Sequence, residues 1–123
     1  MTTELGEYLK AATHKKWQPG YHDCSAWPAR WAGIKIPYYK TDDEGQAIIN
    51  SFGSLLAAWQ HWIGDRLVRV DDPHPGDVGI IEALSASYEP VQVGAIYTGR
   101  RWAFLSHRGM VCASANPLAV WRV

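Results

Sequence analysis

Gly20-Tyr21-His22-Asp23-Cys24-Ser25-Ala26-Trp27 is the stretch that decides how the chain is read. Gln18-Pro19-Gly20 breaks what precedes it, and Asp23 is a residue type whose side chain accepts from the first N–H groups of a helix. Helical spacing of apolar residues, with Ala26, Trp27 and Trp31, begins only afterwards. Cys24 is therefore expected where a turn becomes a helix. Free N–H groups and the positive end of the helix there favour thiolate over thiol, and the same groups can hold an oxyanion. Pro28 complicates this start. With Asp23 as N-cap it lies just beyond the positions whose N–H groups are free, so either the helix begins a residue or two later or its first turn is distorted.

Upstream, Leu5, Tyr8, Leu9 and Ala12 recur at helical spacing and predict a first helix from about Thr3 to His14. Downstream, the helix carrying Trp31 ends near Gly33, and Ile34-Lys35-Ile36-Pro37 leaves it extended. Thr41-Asp42-Asp43-Glu44 is an acidic helix start leading into Ala47, Ile48 and Ile49, stopped by Gly53. Ser54 caps another helix with Leu55, Leu56, Trp59, Trp62 and Ile63, closed by Gly64. The apolar runs then shorten. Leu67 to Val70, Val78 to Ile81, Val91 to Tyr97, Trp102 to Leu105 and Met110 to Ala113 are separated by turn residues and read as antiparallel hairpins. The expected fold is α+β in one domain over residues 1–123, with N-terminal helices packed on a small antiparallel sheet.

At 123 residues the chain can bury a core without a disulfide or metal staple. Its 20% charged and 12% aromatic content, including seven Trp, suits an ordered domain with aromatic surface available for an interface. Net charge is zero, which gives no general attraction to nucleic acid or to an anionic membrane. The N-terminal residues lack a basic segment followed by an apolar run, and no stretch nears about twenty apolar residues. A chain made in the cytoplasm, without a membrane span, is the expectation. Cys24 and Cys112 have neither disulfide-framework nor Cys-x-x-Cys spacing, and Cys112 reads as a small buried hydrophobe in a strand. His22, Cys24, His107 and Cys112 match no common zinc pattern, and neither metal nor cofactor is called for.

Three motifs carry a resemblance. Gly20-Tyr21-His22-Asp23-Cys24-Ser25 resembles the Gly-x-x-Asp-Cys-Ser signature around the nucleophile of NlpC-type peptidases, the compact papain-like cell-wall endopeptidases of bacteria and phages. Pro75-Gly76-Asp77-Val78 resembles the turn that opens that family's sheet, and Val93-Gly94-Ala95-Ile96-Tyr97-Thr98-Gly99 its His-Val-Gly-Ile-Tyr-x-Gly strand. The chain, closing on Leu118-Ala119-Val120-Trp121-Arg122-Val123, is similar to small NlpC-like proteins encoded beside tail-tip and hub proteins of tailed phages, prophages and gene transfer agents. The resemblance implies a papain-like NlpC-type fold with Cys24 as nucleophile. It also implies that Tyr21, Asp23, Ser25 and Gln92 line the substrate or oxyanion site.

The family's histidine has no counterpart. Its place falls at Gln92 or Val93, and neither a carboxamide nor an alkyl group can serve as a general base. His107, one strand over, is the closest substitute, and His22 could fold back over the thiol. His14, His61 and His74 read as ordinary helix and turn residues. Asp42-Asp43-Glu44 is a dipole-complementing first turn rather than a metal site, and Arg100, Arg101 and Arg108 read first as solvated loop residues, with a basic patch able to hold wall-peptide carboxylates as the alternative.

Three functions follow, the third being the binding of wall peptide without cutting it. One is a structural or assembly component of a tail tip, located in the host cytoplasm and then in the virion, with peptidase activity impaired or lost and other tail proteins as partners. The alternative is an active cysteine endopeptidase that cleaves peptidoglycan stem peptides as the tail penetrates.

Overall fold

The computed structural model describes residues 3–85 and 87–123. Four helices, α1 (Glu4–Ala12), α2 (Ala26–Ala32), α3 (Asp42–Phe52) and α4 (Leu55–Ile63), precede six strands: β1 (Val68–Val70), β2 (Val78–Leu84), β3 (Pro90–Tyr97), β4 (Trp102–Ser106), β5 (Gly109–Ala113) and β6 (Ala119–Arg122). The class is α+β, with every strand pair antiparallel and the order β1-β6-β2-β3-β4-β5.

Ser54 caps its helix as read from the sequence, and Thr3 and Thr41 do the same for α1 and α3. Thr3, Thr41 and Ser54 accept from Gly6, Glu44 and Ala57 N–H respectively, each satisfying one orphan donor of a first turn. The second helix takes the later start that Pro28 left open. It starts at Ala26, after Ser25, so Cys24 stands in the turn before the helix and not in its first turn.

Strand alternation splits the core between the two faces of the sheet. Val78, Ile80, Ile96, Ala103 and Leu105 meet Trp27, Leu55, Trp59 and Ile63 of the helices. Ile81, Val93, Ala95, Trp102, Phe104 and Val120 form a second cluster, against which Cys24 packs. Tyr8 ties α1 down by donating to Trp27 O at 2.6 Å while its ring stacks on Trp27.

The final strand goes beyond the hairpins expected from sequence. The β6 strand inserts between β1 and β2, pairing Val120 with both Val70 and Gly79. Buried Asp77 holds it there, accepting from Arg122 Nε at 2.9 Å and Val123 N at 3.2 Å while also closing its own turn onto His74 N. Cys112 corrects another expectation: it is exposed, on β5 at the edge of the sheet.

Candidate functional site

The turn before α2 is built around the Asp23 carboxylate, which is buried. Oδ1 accepts from Ser25 N at 3.0 Å and Ala26 N at 2.7 Å, and Oδ2 accepts from Gly20 N at 2.8 Å and from the Tyr39 hydroxyl. Gly20 is required there: its φ is +77°, and a Cβ would lie 2.3 Å from Tyr39 O. The Trp27 N–H goes to Asp23 O. The Ser25, Ala26 and Trp27 N–H groups at the start of α2 are thus already taken, and of the backbone donors expected to stabilise a thiolate the Cys24 N–H still acts on the sulfur. What remains is a seven-residue helix beginning two residues after the thiol. Burial, reinforced by the negative charges of Asp23 and Asp42, pushes the Cys24 thiol up to about 12, opposite to the direction expected of a nucleophile at a helix start.

The Cys24 backbone has a second effect. Its carbonyl accepts from Gly94 N at 3.0 Å. A Cβ on Gly94 would sit 2.7 Å from Trp59 and 2.8 Å from Cys24 O, so only glycine lets this turn lie against β3. The β3–β4 ladder runs through Tyr97↔Trp102 and Ile96↔Ala103, and there it stops. Continuing its register would set Gly94 against Leu105 and Gln92 against His107; instead Cys24 occupies the Gly94 N–H.

Beside this point lies a groove of about 660 Å³, lined by Cys24, Val93, Phe104, Leu105 and His107 among others. Of the residues singled out in the sequence, Cys24 and His107 share it. His107 sits in the β4–β5 turn, its ring stacked on Trp17 at 4.0 Å and its Nε2 2.9 Å from Asp42 Oδ2. Trp17 Nε1 donates to the other Asp42 oxygen at 3.0 Å. Burial acts to raise Asp42, but the hydrogen bonds from His107 and Trp17 outweigh it and hold the carboxyl below its ordinary value. Among the described residues no hydrogen bond joins the Cys24 thiol to a histidine.

The other five residues serve elsewhere. His22 is buried at the edge of the Trp27 ring, its Nδ1 without a partner among the described residues, and it does not line the groove. The Tyr21 ring lies under the Arg30 guanidinium at 4.0 Å, away from the groove. Asp23 is consumed by the turn, and Ser25 Oγ accepts from Trp59 Nε1 at 3.1 Å within the core. Gln92 Oε1 accepts from Leu56 N at 2.9 Å and so caps α4. Of Gln92 and Val93, the two positions read as the place of the resembled family's histidine, Val93 lines the groove.

The Asp42 pairing was missed in the sequence, where only the acidic first turn was visible; its partner is 65 residues away. Arg100 and Arg101 lie with Thr98 and Cys112 at a separate concavity of about 300 Å³, while Arg108 alone of the three arginines reaches the Cys24 groove. No group of three metal-ligating side chains gathers among the described residues, and no helix there is long and apolar enough to cross a membrane.

Neither a curated protein nor a solved structure matches the chain. A family model matches residues 1–123, and on that match the chain belongs to the family described as Domain of unknown function (DUF6950).

Proposed function

We propose that the chain is a binding and assembly module of NlpC-type descent, carried at the tail tip of a phage or prophage-like particle, whose cleft holds polypeptide without cutting it. The carrying observation is Cys24 in the groove beside Val93, where hydrolysis requires a base. An alkyl side chain accepts no proton, and a thiol pushed up to about 12 is almost wholly protonated at neutral pH. Support for NlpC-type descent comes from the order of the three motifs around Cys24, Asp77 and Gly94. The tail-tip role rests on the wider likeness of the chain, ending on Leu118 to Val123, to small tail-encoded NlpC-like proteins. Exposed Leu84, Tyr88 and Val91 at the groove are the kind of apolar surface that a partner covers.

Incubating the protein and its Cys24→Ala variant with muropeptides tests the loss of hydrolysis. Identical, product-free profiles are expected, and Cys24-dependent products would overturn it. Mass spectrometry of purified particles tests the assembly role, which requires the chain to appear with hub and tail-tip proteins. Absence from particles, with no copurification, would refute that part.

One observation favours a second reading: His107 lines the groove and its ring is held by Asp42. A hydrolase would use Cys24 as nucleophile, His107 as base and Asp42 to orient the ring. It requires muropeptide turnover that both Cys24→Ala and His107→Ala abolish.

A further inference from the structure

We infer that the gap between β3 and β4 receives an extended segment of a partner protein as an added strand, with apolar side chains at alternate positions and an acidic one beside Arg108. This deepens the function proposed above and rests on its binding half.

The backbone points to a strand. In an antiparallel sheet, each residue directs its N–H and C=O to one neighbour, and successive residues alternate sides. Tyr97 N donates to Asp77 O and Tyr97 O accepts from Gly76 N, so Tyr97 faces β2. Gly94 and Gln92 therefore face the β4 side. Gly94 N–H is taken by Cys24 O, while the Gln92 N–H and C=O have no partner among the described residues. Across the gap, Thr98 N donates to Arg101 O, so Arg101, Ala103 and Leu105 face β3. Ala103 pairs with Ile96, but among the described residues Leu105 has no partner on β3. Leu105 lines the groove on one side and Val91 and Val93, the neighbours of Gln92, line it on the other, and an unpaired strand edge is a template for another strand.

The walls supply the side-chain preference. Val91 and Val93 line one flank, Phe104 and Leu105 the other, and the volume of about 660 Å³ falls within the range of ligand-sized pockets. At the rim, Leu84 is 69% and Tyr88 83% exposed, too much apolar surface to be explained by the core of this chain. The charge is one-sided: His107 is paired with Asp42, whereas the Arg108 guanidinium has no ion pair among the described residues. An acidic side chain on the incoming strand complements it.

The test uses the full ¹⁵N-labelled chain and an acetylated, amidated hexapeptide of alternating valine and threonine in which one threonine is replaced by glutamate. Saturable shifts of the Gln92 and Leu105 amides are expected. N-methylation of the peptide's alternate amides should abolish them, a lysine-for-glutamate peptide should bind about fivefold more weakly, and Arg108→Glu should reverse that preference. Arg108 is exposed, so this variant leaves the core intact. Absence of saturable shifts at those two amides, equal shifts from the N-methylated peptide, or shifts with muropeptides alone would overturn the inference. Mass spectrometry of the same samples separates it from the function above: Cys24-dependent cleavage accompanied by the shifts refutes the non-hydrolytic reading and leaves strand addition standing.

Discussion

Asp23 determines what Cys24 can be. Its carboxylate takes the Gly20, Ser25 and Ala26 N–H groups and the Tyr39 hydroxyl, which leaves the Cys24 backbone N–H as the donor that still favours a thiolate, against burial and the Asp23 charge. An Asp before a helical pattern made the turn legible in the sequence. How many donors remained after capping depended on Tyr39 and on where Pro28 let the helix begin, which no local pattern states. Replacing Asp23 with Ala leaves buried N–H groups unpaired, so Asp23→Ala should cost roughly 3 kcal/mol in denaturant unfolding; a loss below about 0.5 kcal/mol would contradict this role. His22 makes a different prediction. Burial, then the charges of Arg30 and Lys15, hold its imidazole below the ordinary 6.5 despite opposing contributions from Ala12 O and Asp23. The unfolded chain therefore takes up a proton before the folded one does. Stability is lost as pH falls from about 6.5 toward the folded value and the loss stops growing below it. Melting temperature should decline across this window in the native chain and less so in His22→Gln; parallel curves for the two would exclude the effect.

Contacts between elements account for the motifs that surround the site. Gly94 exists for the close approach of the Cys24 turn, and Gln92 caps α4, so the family-like strand does structural work at both positions. Gly94→Ala must drive back Trp59, Pro28 or the Cys24 carbonyl, and should destabilise by about 1–3 kcal/mol, read as a lowered thermal midpoint. An unchanged midpoint would mean that the turn is free to move. Asp77, from the Pro-Gly-Asp turn, anchors the last strand, and Asp77→Ala should cost roughly 3 kcal/mol and speed amide exchange in Val120 and Trp121. Uniform exchange across the sheet would argue against local release. Helix ends were readable because caps are local. The β6 strand was not, since its four residues gain their strand character from β1 and β2, far away in sequence. Cys112 was misplaced for the same reason: an apolar run does not reveal that its strand will be an edge.

At the scale of the whole molecule, the change from helical to strand periodicity after Gly64 was enough to read the α+β class. The site was legible in part: Cys24 and His107 do meet in one groove, but Asp42, the splayed β3–β4 ladder and the satisfied helix donors arise from long-range contacts. Cys24 is a thiol in a groove with the Ser25, Ala26 and Trp27 N–H groups committed elsewhere and, among the described residues, no hydrogen bond to a histidine. The most direct test is a thiolate titration by ultraviolet absorbance of the full chain carrying Cys112→Ser, with the Cys24→Ala, Cys112→Ser double variant as the baseline. Cys24 should remain a thiol until the pH passes about 10. Ionisation near neutral pH would contradict the account and restore Cys24 as a working nucleophile.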